Sequence, residues 1–160
     1  MSLNELIASS GVECLNEDPN HPVTNILNND SSNYLQSDAD SQLLISIPFQ
    51  SPVKLNGIKF SFRENVSPEN LPSKIRIFTN RISLDFSDAE SVPAVEEIND
   101  PKSGELIPLK FVLFQNVFSV QIFVQDNNGG DVTEISTIEL FGLAGENMNM
   151  REFKKIKDHE

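Results

Sequence analysis

Apolar residues recur along the chain in short bursts with the length and punctuation of strands, at residues 42–48, 53–62, 74–79, 109–115, 119–125 and 136–142. Within 119–125, Val120, Ile122 and Val124 alternate with Ser119, Gln121 and Gln125. That period of two predicts a half-buried antiparallel strand. Phe123 breaks the alternation and is expected to contact another layer. Helical periodicity is confined to the start, where Leu3, Leu6 and Ile7 fall at i, i+3 and i+4. This predicts a short amphipathic N-terminal helix over residues 3–8, ended by Gly11.

Between the bursts lie the residues that turn a chain. Residues 16–40 are rich in Asn, Asp and Ser and contain Pro19 and Pro22, so they read as a long ordered loop whose side chains satisfy the backbone locally. Ser67-Pro68, Leu71-Pro72, Pro93 and Pro101 punctuate the middle. Asn127-Asn128-Gly129-Gly130 offers residues that accept positive φ and predicts a hairpin between its flanking strands. Short strands at regular spacing with almost no helix make the fold class all-β, two packed antiparallel sheets in a sandwich or jelly roll.

A chain of 160 residues has room for one domain. Its 38% hydrophobic content and 11 Phe supply a core in which Phe carries the aromatic packing, since there is no Trp and one Tyr. The net charge of −12 repels phosphate backbones and anionic membrane faces; no nucleic acid and no membrane partner is expected. A single cysteine, Cys14, forms no internal disulfide and suits a reducing compartment, so the cytosol and nucleus are the expected locations. The start has no basic n-region or apolar run, and no stretch has the eighteen apolar residues that span a bilayer. The charge pattern divides the chain into a main body, 1–150, with 8 basic and 21 acidic groups, and a basic tail, 151–160, with 4 and 3. Little apolar surface remains in that tail beyond Phe153 and Ile156, so it is expected to be mobile.

Candidate chemistry is sparse. Thioredoxin-type exchange needs two cysteines at Cys-x-x-Cys spacing, which this chain lacks. Cys14 with His21 as its base is one reading of the N-terminal segment, and a small packed residue is the other. One Cys and two His are too few for a structural zinc site. Asp38 and Asp40, or Asp126 and Asp131, offer oxygens to calcium or are solvated turn acids. No cofactor is expected. Residues 85–105 hold seven acids against Lys102 alone, interrupted by Phe86, Val92 and Val95. This stretch reads either as a solvated loop or as a docking surface in which Asp85, Asp88 and Glu90 steer a basic partner and Phe86 anchors it.

The residues Gly11-Val-Glu-Cys-Leu-Asn16, Asp40-Ser-Gln-Leu-Leu-Ile45, Ser51-Pro-Val-Lys-Leu55, Leu84-Asp-Phe-Ser-Asp-Ala-Glu90, Ile107-Pro-Leu-Lys-Phe111 and Phe114-Gln-Asn-Val117 occur in one order with Val120-Gln-Ile-Phe-Val-Gln125 and Asn147-Met-Asn-Met-Arg-Glu-Phe-Lys154. Together they resemble the PITH domain, the proteasome-interacting domain of thioredoxin-like proteins. The resemblance implies a jelly-roll β-sandwich similar to galactose-binding-like domains. It also implies a monomeric, non-catalytic module that binds the regulatory particle of the 26S proteasome and commonly follows a thioredoxin domain. With that partner, Arg151, Phe153, Lys154 and Lys155 of the tail are a second contact, and His159 either reaches a metal centre in the partner or is a plain surface histidine. The other function class is a sandwich whose loops hold a glycan or a peptide, although such sites lean on aromatic platforms and the chain offers only Tyr34.

Overall fold

The computed structural model describes residues 1–27 and 32–144. Its strands are β1 (Glu13–Leu15), β2 (Leu35–Gln36), β3 (Leu43–Ser61), β4 (Pro72–Thr79), β5 (Glu96–Asn99), β6 (Leu106–Pro108), β7 (Val117–Asn127), β8 (Glu134–Ile135) and β9 (Thr137–Ala144). One short helix, α1 (Phe86–Ser91), lies between β4 and β5.

The organising element is β3. The two bursts at 42–48 and 53–62 are halves of one 19-residue strand. Its first half, Leu43 to Pro48, lies between β1 and β7. Its second half, Val53 to Ser61, pairs with β9 and β6. Between Pro48, opposite Ser119, and Val53, opposite Val117, the ladder register breaks. Pro48 and Pro52 bring no N–H to the ladder there, which favours a bend over continued pairing. The bend carries the chain from a front layer in the order β1-β3-β7-β4-β5 to a back layer of β9, β3 and β6.

Inward residues of both layers form one core. Leu43, Ile45 and Ile47 from the first half of β3 meet Val53, Leu55, Ile58 and Phe60 from the second, with Ile75, Ile77, Val120, Ile122, Val124, Ile138 and Leu140. Each such aliphatic or aromatic side chain stabilises the fold by roughly 1.5–3 kcal/mol on leaving water.

A smaller cluster of Leu44, Phe78, Ala89 and Phe123 lies on the other side of the front layer, beneath α1. This second layer corrects the half-buried reading of 119–125: β7 is the central strand and is covered on both faces. Phe123 does contact another layer. Ser119 and Gln121 are buried too, with Gln121 Nε2 donating to Ser46 Oγ at 3.2 Å and Ser119 Oγ at 2.9 Å.

Three further local readings are corrected, and the short N-terminal helix is a 3-10 turn at Asn4–Leu6. The backbone there is claimed by tertiary partners, since Leu3 N–H donates to Leu140 O at 2.7 Å and Ile7 bridges Phe49. Residues 109–115 are no strand: Leu109 and Phe114 dip into the core while Phe111–Leu113 form an exposed 3-10 turn between them. The segment after β7 turns with Gly129 at φ 104°, yet it closes no hairpin, because β8 pairs with β2 and β9 with β3. Residues 85–105 are not one loop but contain α1, β5 and the turn into β6.

Candidate protein-docking surface

Helix α1 is specified locally at its start. Asp85 has extended backbone and its Oδ1 accepts the N–H of Asp88 at 2.8 Å, an N-cap that satisfies one of the orphan donors of the first turn. The carboxylate of Asp88 in that turn suits the positive end of the helix dipole. At the other end Arg76, projecting from β4, spreads its guanidinium over three carbonyls. Nη1 donates to Ala89 O at 2.6 Å and Glu90 O at 2.9 Å, and Nη2 donates to Val92 O at 2.9 Å. A fixed cation at the negative helix end substitutes for a glycine cap. Ala89 is fully buried, and the Phe86 ring meets Phe123 with centroids 6.0 Å apart.

Phe86, expected as the anchor, is half-buried and packs against the small cluster under α1. Asp85 is a structural cap. Asp88 and Glu90 stay exposed, with Glu90 Oε1 accepting from Gln42 Nε2 at 3.3 Å. Arg151, Phe153, Lys154, Lys155 and His159 lie outside the described residues.

A feature the sequence reading misses lies beside α1, at the end of the sandwich where β3 bends. Asn80, with φ 60°, ties two loops together. Its Oδ1 accepts the N–H groups of Phe118 and Ser119 at 2.7 and 3.2 Å, and its Nδ2 donates to Asn116 O at 3.3 Å. The next amide, Arg81 N–H, donates to Oε1 of buried Gln121 at 3.0 Å. These bonds hold the loop after β4 against the segment leading into β7, and both present apolar side chains to water. Ile82 and Val112 are each 81% exposed, Phe118 51% and Leu113 50%, with Phe111 beside them. Asn80, Arg81, Ile82, Leu84, Asp88 and Val92 enclose a shallow cavity of about 400 Å³. Exposed apolar residues on two segments fastened together are the kind of anchor an interface uses. Phe111 to Leu113 lie within the apolar run 109–115 that reads as a strand, and Ile82 and Phe118 are single apolar residues, so the pattern gives no sign that these side chains face water.

The remaining candidates are not brought together as reactive groups. Cys14 sits on β1, packed against the main core, and burial followed by the charge of Glu17 pushes its thiol pKa far up. His21 instead stacks on Tyr34, with ring centroids 4.2 Å apart and planes 14° from parallel. A ring so placed fills one face of Tyr34, and the Arg63 guanidinium, with Cζ 4.6 Å from the centroid, fills the other. Arg63 Nε in turn donates to Oε1 of buried Glu134 at 2.6 Å, and Asn70 Nδ2 donates to Oε2 at 2.9 Å. The one tyrosine therefore offers no free platform to a sugar. Asp40 Oδ1 accepts from Asn16 Nδ2 and Gln42 N–H, both at 2.9 Å, as a turn acid does. Among the described residues no three His, Cys, Asp or Glu side chains gather as a metal site, and no helix is long and apolar enough to cross a membrane.

Comparison with known proteins agrees with this architecture. The chain is similar to a family 32 carbohydrate-binding module from C. perfringens solved with galactose, with TM-score 0.66 and 10% identity over 87% of this chain and 96% of the other. It is also similar to a serum fucolectin from striped bass, with TM-score 0.66 and 12% identity over 89% of this chain and 48% of the other. At these identities the likeness is one of fold. In sequence, it is 36% identical over 148 residues to Thioredoxin-like protein 1 of Schizosaccharomyces pombe, covering 88% of this chain and 51% of that protein. It is 34% identical over 152 residues to the PITH domain-containing protein CG6153 of Drosophila melanogaster, covering 91% and 69%. The chain thus spans about half the length of the yeast relative. The family model described as PITH domain matches residues 1–158, and with these relatives it establishes that the chain belongs to the PITH domain family.

Proposed function

We propose that this domain is a non-catalytic interaction module that docks a thioredoxin-like protein onto the regulatory particle of the 26S proteasome, working as a monomer in the cytosol and nucleus. The observation that carries this reading is the set of exposed apolar side chains Ile82, Phe111, Val112, Leu113 and Phe118, carried by the loop after β4 and the segment leading into β7 that Asn80 ties together, with Ile82 lining one cavity with Asp88 of α1. A relative that bears the thioredoxin-like name supports the setting. An acidic surface speeds encounter with a basic partner, and a central apolar group holds it once water is expelled. Asp88 and Glu90 act in the first role, and Arg151, Phe153, Lys154, Lys155 and His159 of the tail make the second contact.

The test is binding of the intact chain to purified 26S proteasome and to isolated regulatory particle at low and moderate salt. Retention that is lost in Val112→Asp and Phe118→Asp but kept in a distant surface variant such as Glu139→Gln supports the reading. Absence of binding to either particle, or binding indifferent to both apolar variants, overturns it.

A further inference from the structure

The chain holds two Asn-Gly dipeptides, Asn56-Gly57 and Asn128-Gly129, and the fold places them in opposite settings. Asparagine followed by glycine is prone to attack on its own side chain, because the glycine has no Cβ to shield its backbone nitrogen. Attack also requires rotation about the asparagine backbone, which brings that nitrogen onto Cγ. A residue whose neighbours are held in a ladder on both sides is denied the rotation until the ladder opens.

Asn56-Gly57 is held in this way. Gly57 is buried in β3 and pairs with Phe141 of β9 on one side and Pro108 of β6 on the other. Asn56 O accepts the N–H of Leu109 at 3.0 Å. Asn128-Gly129 lies beyond the end of β7 with both residues exposed. Gly129 has φ 104°, and its chain neighbours apart, no heavy atom stands within 4 Å of where its Cβ would be. Its N–H donates to Asn127 Oδ1 at 3.1 Å and not to a strand. Asn128 is held by its N–H to Leu71 O and by Nδ2 to Pro68 O, each at 3.2 Å.

From this contrast we infer that Asn128 is a spontaneous modification site, converted through a cyclic imide to aspartate and isoaspartate while Asn56 persists. The Gly129 nitrogen loses its proton to hydroxide and bonds to Asn128 Cγ. The Cγ–Nδ2 bond breaks, and ammonia leaves with a proton taken from water. Water then opens the ring. Cleavage between the nitrogen and Cγ gives aspartate, and cleavage between the nitrogen and the main-chain carbonyl gives isoaspartate, whose chain runs through Cβ and Cγ. The sum consumes water and releases ammonia, with no oxidant or reductant.

The loop's contacts set the consequence. Gly130 N–H donates to Glu69 O at 2.9 Å, and a Cβ on Gly130 would collide with Asn70 Oδ1 and Glu69 O. The extra main-chain carbon of isoaspartate therefore has no room beside that turn. A carboxylate at 128 in either product has no donor for Pro68 O. Modification thus loosens the loop from the turn Pro68–Asn70, whose Asn70 Nδ2 reaches buried Glu134.

The test incubates the intact chain at pH 8 and at pH 6. Peptide masses after proteolysis are followed together with methyl transfer from S-adenosylmethionine by isoaspartate methyltransferase, which marks isoaspartyl residues. The peptide that contains residue 128 should gain the mass of an amide-to-acid exchange and the methyl label, faster at pH 8, and Asn56 should convert roughly tenfold or more slowly than Asn128. In urea the two should convert at similar rates, which assigns the difference to the fold. Asn128→Gln, whose longer side chain closes its ring far more slowly, should lose the label from that peptide while the amide signals of β7 stay in place. Amide exchange at residues 128 and 130 should accelerate in the aged protein and not in β7. Conversion at Asn128 no faster than at Asn56 in the folded chain overturns the inference, and so does a label retained in Asn128→Gln.

Discussion

Asn80 accepts the backbone N–H of Phe118 on its side-chain oxygen at 2.7 Å, and through that bond a loop after β4 is fastened to the start of the central strand β7. Two further side-chain bonds, from Ser119 N–H and to Asn116 O, complete the clamp. Asn80→Ala removes all three and places a Cβ residue without a local partner at φ 60°. The expected loss is about 2–4 kcal/mol in urea unfolding followed by far-ultraviolet circular dichroism. Asn80→Gly relaxes the backbone but keeps the clamp broken, so it should recover only part. A glycine variant as stable as the parent would show that the bonds hold nothing together.

Arg76 is the counterpart at α1. Arg76→Met leaves the carbonyls of Ala89, Glu90 and Val92 without this donor, at an expected cost of about 1.5–3 kcal/mol. Amide exchange across residues 86–92 should accelerate more than in β7. Arg76→Lys keeps the charge but lacks the planar fork and should restore less than half of the loss. Unchanged protection of α1 in the methionine variant would contradict the role given to Arg76.

Cys14 makes a prediction about alkaline pH. Its folded pKa is raised, first by burial and then by Glu17, so above the free-thiol value of about 8.5 the unfolded chain releases a proton that the folded chain keeps. Unfolding then binds fewer protons than the native state, and stability falls as pH rises. The parent should lose stability relative to Cys14→Ala from about pH 8.5 upward, with a slope approaching 1.4 kcal/mol per pH unit. Below that pH the difference between the two should be constant. A thiol reagent at pH 8 should modify the half-buried Cys14 more slowly in the folded chain than in urea, and equal rates would contradict its packing against the core.

Tyr34 bears on the glycan-binding reading that the fold invites. With His21 on one face and Arg63 on the other, galactose at tens of millimolar should leave the Tyr34 ring signals unmoved. Tyr34→Ala should instead lower stability by about 2–4 kcal/mol through lost packing of both neighbours. Saturable shifts at Tyr34 would restore a ligand site there.

The strands of the core were legible because Val, Ile and Phe alternate or run together at 43–47, 53–60, 75–78 and 137–142, and the family resemblance pointed to the same sandwich. What alternation could not reveal is how the strands connect. Pro48 and Pro52 look like the end of one strand and the start of another, although the ladder resumes beyond them. Asn127 to Gly130 look like a hairpin, although β9 finds its partner in β3. Acidic 85–105 conceals a helix because the stabilising group, Arg76, comes from another strand. The site divides the same way. Asp88 and Glu90 are exposed as the sequence reading expects, and Phe86 turns inward because the outer face of the front layer presents Phe78 and Phe123 to it. The loop that carries Ile82 is fastened to the backbone of Phe118 by Asn80, a link that no sequence pattern shows.

The placement of β7 governs how the domain can be made. Residues 1–116 contain β3 and β4 but not the strand that lies between them, so a nascent chain that has just finished β6 holds two long strand edges without their shared partner. Leu43 must find Val124, and Phe60 must find Ile138; such distant pairings put folding in the millisecond-to-second range rather than the microsecond range. The sandwich therefore assembles after nearly the whole sequence has been synthesised. Premature termination before residue 127 leaves an aggregation-prone fragment, not a smaller version of the domain.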